Sequence, residues 1–272
     1  MGPKMGANAT VERLIELKLK SMADGFRSQI SDPENEKLSF ENRMAMLVDA
    51  EYSSRHNVKL QKLIKTAAFD IPSASIYDIN YQSGRKLDEE LISKLGSCDY
   101  IRKKLNIAIT GATGSGKTYL SCALGMEACK RFYSTKYVRM PDLLWELDTA
   151  NEKVAIRKTI QKYVKPRLLI LDEWLIYPVD PEKNLLLFEI INGRYGKAST
   201  IFCSQYKMEG WYQQLGDKNT TLADAIMDRI AHNSYHIDIT PIDPTKDISM
   251  RAVYGLDYIL QSDNDNKENT LP

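Results

Sequence analysis

The chain has 272 residues, of which 43% are hydrophobic, enough for a substantial core. Its 37 Lys and Arg residues are almost balanced by 36 Asp and Glu residues, so the net charge of +1 excludes a global attraction to nucleic acid, and any such binding requires a local patch of cations. Four cysteines without zinc-like spacing argue against a disulfide framework, and no apolar run is long enough to cross a bilayer. We therefore expect a cytoplasmic protein with reduced thiols and no membrane partner.

The N-terminal part of the sequence predicts a small helical module. Residues 1–9 are expected to be a disordered lead, and residues 10–70 carry apolar positions at helical spacing. Thr10 and Ser39 are suited to cap the first helix and a second, longer helix. Residues 71–104 contain polar turns and little strand pattern, and they are expected to form a connector. We predict that the module serves in assembly or partner contact.

From residue 105 to residue 260, short β-branched runs alternate with helical stretches. Strands separated by helices indicate βαβ units and a parallel sheet, and wholly apolar runs suit strands buried on both faces. We predict an α/β domain with a five-stranded parallel sheet flanked by helices. Residues 261–272 are rich in Asp and Asn and are expected to form a disordered tail. The strands are predicted at Asn106–Thr110, Thr135–Met140, Arg167–Leu171, Thr200–Ser204 and Tyr235–Ile239.

A phosphate-binding loop is predicted directly after the first of these strands. The sequence has the form G-x-x-x-x-G-K-T, whose glycines permit a tight turn with its N–H groups pointing at phosphate oxygens, and the following helix adds partial positive charge. Lys117 is placed to reach the β- and γ-phosphates of ATP, and the Thr118 hydroxyl is placed to bind Mg²⁺. The candidate ATP-binding residues of this loop are Gly111, Ala112, Thr113, Gly114, Ser115, Gly116, Lys117 and Thr118.

Two acids, Asp172 and Glu173, follow the third predicted strand. Downstream of a phosphate loop, an aspartate at this position is suited to hold Mg²⁺, and the glutamate is suited to act as general base on the attacking water. A strand can also end in two acids simply because a surface loop begins there, so the pair is specific only in combination with the loop.

With these motifs in place, the chain resembles the IstB-like ATP-binding proteins, helper ATPases of insertion-sequence transposition. That family belongs to the AAA+ superfamily and is similar to the DnaC helicase loader and the DnaA initiator. The resemblance extends from about Leu14 to Arg251. Besides the two ATP motifs, it is carried by the helical segment from Leu38, by Tyr177-Pro178, by Leu187–Tyr195, by Ser199–Ser204 and by Leu222–Ile230.

The resemblance implies roles for three further residues. Gln205 takes the place of a polar residue, often Asn in the family, that reads the γ-phosphate; it can also be a simple loop cap. Arg229 takes the place of an arginine finger, a catalytic residue that acts with Lys117 and Glu173 on ATP bound by a neighbouring subunit and so implies a homo-oligomer. It can instead be a helix C-terminal contact. Arg251 takes the place of a late arginine that contacts ATP, or is a surface charge.

The segment between the two ATP motifs is rich in cations. In a helix its apolar residues share one face, and Arg157, Lys158 and Lys162 point away from that face. Such cations are often only solvated, but a cationic stripe also suits phosphate contact. Together with the resemblance, this predicts binding to double-stranded DNA that is largely independent of sequence.

The combined interpretation is an Mg²⁺-dependent ATPase that assembles on target DNA and assists a cognate transposase, with ATP hydrolysis as the switch. The alternative is a DnaC-like loader of a replicative helicase, which would have nearly the same ATPase domain. A small-molecule kinase is a third interpretation, but it would need an acceptor pocket and an arginine-rich lid, and Glu173 indicates water as the acceptor.

Overall fold

A computed structural model of the protein describes residues 6–150, 152–216, 221–243, 245, 249 and 250. Arg251, the predicted tail at 261–272 and residues 1–5 of the predicted lead lie outside the described residues. The chain divides into two compact units, Met1–Lys62 and Leu63–Pro272. No helix in the part of the chain that the structure describes is long and apolar enough to cross a membrane.

The first unit is helical, as predicted. Its helix α1 begins at Ala7, so residues 7–9 are helical rather than disordered, and Thr10 lies inside the helix instead of capping it. The alanines at both ends of this short stretch are strong helix formers, which accounts for the earlier start. Ser39 does cap the long helix, since its Oγ accepts a hydrogen bond from the Asn42 N–H at 3.3 Å. The helices are α1 (Ala7–Glu16), α2 (Lys20–Ser31) and α3 (Phe40–Ala67), with a 3₁₀ turn at Pro33–Lys37; the last residues of α3, from Leu63, belong to the second unit.

A carboxylate in α3 ties the helices of the first unit together. Glu51 accepts a hydrogen bond at 3.1 Å from the Met22 N–H, which lies in the first turn of α2 and has no partner inside that helix. Glu51 also pairs with Arg55 at 2.7 Å, and the Arg55 guanidinium donates to the Lys18 carbonyl at 3.0 Å. These contacts hold α3 against the start of α2.

The second unit is built on a six-stranded sheet whose five longer strands are parallel. The predicted parallel sheet is therefore confirmed. In spatial order the strands are β1 (Arg85–Lys86), β6 (Ser234–Pro241), β2 (Asn106–Gly111), β5 (Ser199–Ser204), β4 (Leu168–Asp172) and β3 (Thr135–Arg139). The helices are α4 (Glu89–Gly96), α5 (Asp99–Lys103), α6 (Lys117–Lys130), α7 (Met140–Asp148), α8 (Lys153–Val164), α9 (Pro181–Arg194), α10 (Met208–Gln214) and α11 (Thr221–Ala231).

The predicted number of strands, five, is wrong by one. The additional strand, β1, pairs antiparallel with the end of β6, with Arg85 opposite Pro241 and Lys86 opposite Thr240. It lies in the segment that the sequence predicts to be a connector, which also contains α4 and α5. A strand of two residues is too short to show the alternation of apolar and polar positions by which strands are recognised.

A buried arginine joins the end of α8 to the start of β5. Arg194 is 2% exposed, and its Nη1 donates to the carbonyls of Tyr163, Val164 and Pro166 at 2.8–3.1 Å. Its Nε donates to the Thr200 hydroxyl at 2.9 Å. A buried charge must be hydrogen-bonded to be tolerated, and here backbone carbonyls supply most of the partners. The position of α8 relative to the sheet is fixed in this way.

The strand order brings three loops to one edge of the sheet. Because the five long strands are parallel, their carboxyl ends meet at the same edge. The phosphate loop follows β2, Asp172 ends β4, and Gln205 follows β5, which lies between β2 and β4. The fold therefore gathers at this edge motifs that are far apart in the sequence.

Candidate functional site

The predicted phosphate loop joins β2 directly to the first turn of α6. Gly111 adopts φ +150°, and a side chain there would meet the Ile239 carbonyl oxygen at 2.6 Å, so only glycine fits. Lys117, the first residue of α6, turns its ammonium back across the loop and donates to the carbonyls of Gly111 and Ala112 at 2.8 and 2.7 Å. Burial lowers the pKa of Lys117, and nearby Asp172 opposes this effect. The helix N-terminus and the ammonium together make this loop a site for a polyanion.

The carboxylate of Asp172 is the meeting point of three elements. Its Oδ2 accepts hydrogen bonds from the Thr118 hydroxyl at 2.7 Å and from the Tyr137 hydroxyl at 2.8 Å, and its Oδ1 accepts one from the Glu173 N–H at 2.8 Å. Oxygen ligands of this kind are what Mg²⁺ prefers, and the Thr118 and Asp172 oxygens are close enough to share one ion or its water shell. The two residues predicted for Mg²⁺ are thus adjacent.

Tyr137 is a residue of this site that the sequence does not reveal. It lies on β3, opposite Ile170 of β4, and its side chain is 6% exposed. In the sequence it reads as one more apolar residue of a buried strand, and only the pairing of β3 with β4 brings its hydroxyl to Asp172.

Glu173 turns away from Asp172 at the end of β4. Its φ of 54° is unusual for a residue other than glycine and directs the side chain away from the strand. Burial raises the pKa of the Glu173 carboxyl. The Arg139 guanidinium, whose Nη1 lies 3.9 Å from Glu173 Oε1, acts in the opposite direction and lowers this pKa. Arg139 is itself held by Asp142 at 2.9 Å. A carboxylate with a raised pKa beside the phosphate loop can accept a proton from water.

Gln205 contacts the phosphate loop, as its predicted position at the end of β5 requires. Its Oε1 accepts a hydrogen bond from the Thr113 hydroxyl at 3.0 Å. The side chain is exposed at the edge of the sheet. It therefore lies on the side of the loop that includes Ala112 and Thr113, which is the side that Lys117 also faces.

A cavity of about 270 Å³ opens beside the part of the loop from Gly114 to Thr118. Most of its wall is apolar, with aliphatic side chains and Tyr119, and Asp70 and Asn80 are among its polar residues. Such a wall suits a flat, weakly polar ring more than a phosphate. The remaining lining residues are Ile71, Ile79, Arg85, Leu87, Gly114, Gly116, Lys117, Thr118, Leu120, Ile239 and Met250.

Arg229 lies far from its own phosphate loop. It is near the end of α11, which leads into Ser234, and Ser234 pairs with Asn106 at the start of β2. The phosphate loop begins at the other end of β2, and a strand of six residues spans about 17 Å. Arg229 donates to Asn192 at 3.0 Å and to the Ala225 carbonyl at 2.7 Å. The structure therefore does not bring it to the site formed by the same chain.

The three predicted DNA residues lie on α8, with different surroundings. Arg157 and Lys158 are exposed, as predicted. Lys162 is also exposed, but its Nζ lies 2.7–2.8 Å from both carboxylate oxygens of Glu146 on α7. The cationic stripe is therefore not uniform, because an acid on the neighbouring helix pairs with Lys162. Arg251, the last candidate, lies outside the described residues.

A phosphate loop after a central strand, an acid pair at the end of a second strand and a polar side chain at the end of the strand between them define a P-loop ATPase. The chain belongs to the IstB-like ATP-binding protein family, whose model matches residues 12–251. It is therefore an ATPase, as predicted.

Relatives and solved structures agree with this assignment. An insertion sequence ATP-binding protein of Sinorhizobium fredii, y4uH, is 36% identical over 231 residues, or 85% of this chain and 92% of that protein. The ATP-binding protein of insertion sequence IS1162 from Pseudomonas fluorescens is 39% identical over 196 residues, or 72% of this chain and 85% of that protein. The crystal structure of DnaI matches with a TM-score of 0.54 at 22% identity, over 66% of this chain and 94% of that one, which is a likeness of fold.

The hydrogen bond from Tyr137 to Asp172 leads to a testable prediction. Tyr137→Phe removes one of two donors to Asp172 Oδ2, so we expect the carboxylate to be less well oriented and the half-saturating Mg²⁺ concentration to rise about tenfold. The measurement is a Mg²⁺ titration of the binding of a fluorescent ATP analogue.

Tyr163→Phe is the matched control for this variant. It removes the hydroxyl of another buried tyrosine that donates to a carboxylate, Glu146, at 2.8 Å on α7. We expect this control to leave the Mg²⁺ midpoint unchanged. Equal midpoints for Tyr137→Phe and the unmodified chain would contradict a role for Tyr137 in orienting Asp172.

Proposed function

We propose that this chain hydrolyses ATP·Mg²⁺ as a switch for its assembly on double-stranded DNA, where it assists the transposase of its insertion sequence. The ATPase part of this proposal is supported by the 2.7 Å hydrogen bond that the hydroxyl of Thr118, the last residue of the phosphate loop, donates to Asp172. Bound Mg²⁺ would neutralise charge on the phosphates. In this assignment Thr118 and Asp172 hold the ion, and Lys117 leaves the loop carbonyls to bind the β- and γ-phosphates. DNA and ATP occur together in the cytoplasm, where we place this activity.

The orientation of the nucleotide follows from the different surroundings of the two parts of the loop, the cavity near Gly114–Thr118 and Gln205 near Thr113. The apolar cavity takes the adenine ring, and the triphosphate extends along the phosphate loop, whose backbone N–H groups donate hydrogen bonds to its oxygens. The γ-phosphate then lies on the side of Thr113 and Gln205, where the Gln205 amide can respond to its presence or loss. Among the described residues, Glu173 is the carboxylate best placed to accept the proton of the attacking water.

This role of Glu173 predicts a defined pH dependence. A general base must be unprotonated, so the turnover rate falls as the pH is lowered through the pKa of Glu173, which burial raises above the ordinary glutamate value. Arg139 opposes that rise. Arg139→Gln therefore raises the pKa further, and we expect the acid limb of the rate profile to move to higher pH.

The pH profile is measured as the rate of phosphate release at saturating ATP. Arg102→Gln is the control, because Arg102 is an exposed arginine that pairs with Asp99 at 2.9 Å on α5, away from the loop. An acid limb that stays in place in Arg139→Gln would contradict the assignment of Glu173 as the base.

Action in trans by Arg229 is supported by its position at the opposite edge of the sheet from the phosphate loop of the same chain. An arginine there can meet a nucleotide only when a second subunit brings its own loop to that edge. We therefore propose a homo-oligomer in which each ATP lies between two subunits. The guanidinium is already positioned by Asn192 and lies 4.9 Å from the Phe188 ring centroid.

Mixing two inactive variants tests this arrangement. Glu173→Gln lacks the base in its own site, and Arg229→Ala lacks the finger for its neighbour's site, so each alone should lose about a thousandfold in turnover. In mixed assemblies some sites combine an intact Glu173 with an intact Arg229, and we expect ATPase activity well above that of either variant.

A mixture of Lys117→Ala with Glu173→Gln is the control. Both changes damage a subunit's own site, so no combination of these subunits forms an intact site and no recovery is expected. If Arg229→Ala also fails to recover when mixed with Glu173→Gln, the finger does not act in trans.

The proposal of DNA binding rests on α8. Arg157 and Lys158 are exposed, and the helix is fixed to the sheet through Arg194, so the two cations present a stable surface to phosphates. Contacts of this kind give affinity without base readout, which suits a protein that assembles on many target sequences. Lys162 contributes less, because Glu146 neutralises it.

Reversing these two charges tests DNA binding. Arg157→Glu combined with Lys158→Glu is expected to weaken binding to double-stranded DNA in the presence of ATP by at least about tenfold, and to reduce the slope of log affinity against log salt by about two. The matched control is Arg102→Glu with Lys103→Glu, an adjacent Arg–Lys pair exposed on α5. Equal losses in both double variants would contradict binding through α8.

The same variants test the link to transposition. The unmodified chain should stimulate strand transfer by its cognate transposase, whereas the α8 double variant should keep basal ATPase activity and lose this stimulation. Both relatives described above are named for insertion sequences, which favours a transposase over a helicase as the partner. Loading of a replicative helicase without any effect on a transposase would replace this proposal with the loader alternative.

We assign partner contact or self-assembly to the helical unit at 1–62. Phe40, Met44 and Val48 on α3 follow one another at intervals of four residues, so they lie on successive turns along one side of the helix. All three are exposed, with 77% of Phe40 and 48% of Val48 accessible. An exposed apolar side of a long helix is typical of a surface that another chain covers.

A further inference from the structure

Arg85 lies against the phosphate loop, although the sequence places it in a connector. It is one of the two residues of β1, which the end of β6 holds in place, and it is only 8% exposed. Its Nη1 donates to the Ser115 carbonyl, and its Nε donates to the Ser83 hydroxyl at 2.9 Å. Two nitrogens of the guanidinium, Nε and Nη1, are thus held by hydrogen bonds.

The loop is shaped to receive this guanidinium. A Cβ added to Gly116 would collide with Nη1 of Arg85, so any other residue at 116 would displace the arginine. The backbone of Gly116, at φ +95°, also favours glycine. The close contact between Arg85 and the phosphate loop therefore requires a glycine at position 116, the last glycine of the motif.

Two cations consequently contact the loop at different residues, and both line the cavity. Lys117 faces Gly111 and Ala112, the side on which the Thr113–Gln205 contact lies. Arg85 faces Ser115 and lines the apolar cavity. With adenine in that cavity, the phosphate closest to Arg85 is the one closest to the base.

The chemistry of the group fits this position. A guanidinium presents donors in a planar fork that matches two phosphate oxygens, and it stays charged at any physiological pH. A phosphate next to it would accept charge-assisted hydrogen bonds from the guanidinium. A lysine has no such fork and would reach the same place with a more flexible stem.

We propose that Arg85 binds the α-phosphate of the nucleotide. It therefore recognises ATP and ADP alike, and it keeps the nucleotide in place after hydrolysis, while Lys117 and Gln205 respond to the γ-phosphate. The inference rests on the nucleotide orientation proposed above, with the base in the apolar cavity. It also makes β1 part of the nucleotide site.

Calorimetric titration of the full chain with ADP and with the non-hydrolysable analogue AMPPNP tests this proposal. Arg85→Gln is expected to weaken both ligands by the same factor, about tenfold for the loss of one charge-assisted contact. Arg85→Lys, which keeps the charge, should lose less than Arg85→Gln. Lys86→Gln, the exposed neighbour on β1, should bind both ligands like the unmodified chain.

Several results would overturn the proposal. Unchanged affinity in Arg85→Gln, or weaker binding of AMPPNP alone, would show that Arg85 does not contact the α-phosphate. Equal losses in Arg85→Gln and Arg85→Lys, with a lower melting temperature of the nucleotide-free protein in both, would show that the Ser115 contact is only structural. Failure of the unmodified chain to bind either ligand would instead contradict the proposed nucleotide site itself.

Discussion

The carboxylate of Asp172 is the interaction on which the rest of the site depends. A buried carboxylate must have its oxygens hydrogen-bonded, and the donors here come from α6, from β3 and from the backbone after β4. The pairing of β4 with its neighbours therefore sets where the phosphate loop lies relative to Glu173. A shift of β4 by one residue would turn Asp172 to the other face of the sheet, and Thr118 and Tyr137 would lose their common partner.

The parts of the fold that could be predicted are those with a local signal. Short β-branched strands, the glycine pattern of the phosphate loop and the acids after Leu171 each depend on residues that are adjacent in the sequence, and the five long strands were located to within about two residues. Tyr137 and Arg85 carry no such signal. Tyr137 belongs to the site because β3 pairs with β4, and Arg85 belongs to it because a two-residue strand adds to the end of β6. Both contacts join segments that are far apart in the sequence, so no local pattern of residues predicts them.

Parallel strands also account for the proposed need of a second subunit to complete the site. The phosphate loop, Asp172 and Gln205 all lie at the carboxyl ends of strands, and these ends form one edge of the sheet. Arg229 precedes a strand instead, because α11 leads into the start of β6, and it must therefore lie at the other edge. An arginine in that place can complete a nucleotide site only across an interface. Under the proposed role of Arg229, the separation of the two groups within one chain would make hydrolysis depend on assembly, which is what a switch requires.

The surroundings of α8 show which features of a helix its sequence pattern predicts and which it does not. The pattern separates an apolar face, with Tyr163 fully buried, from a charged one, and this division is present in the structure. It cannot show that Glu146, sixteen residues away on α7, pairs with Lys162, because that contact depends on how two helices are connected. A cation paired at 2.7 Å with a carboxylate offers little net charge to a phosphate. The stripe proposed to contact DNA is therefore centred on Arg157 and Lys158, in the half of α8 nearer its N-terminus.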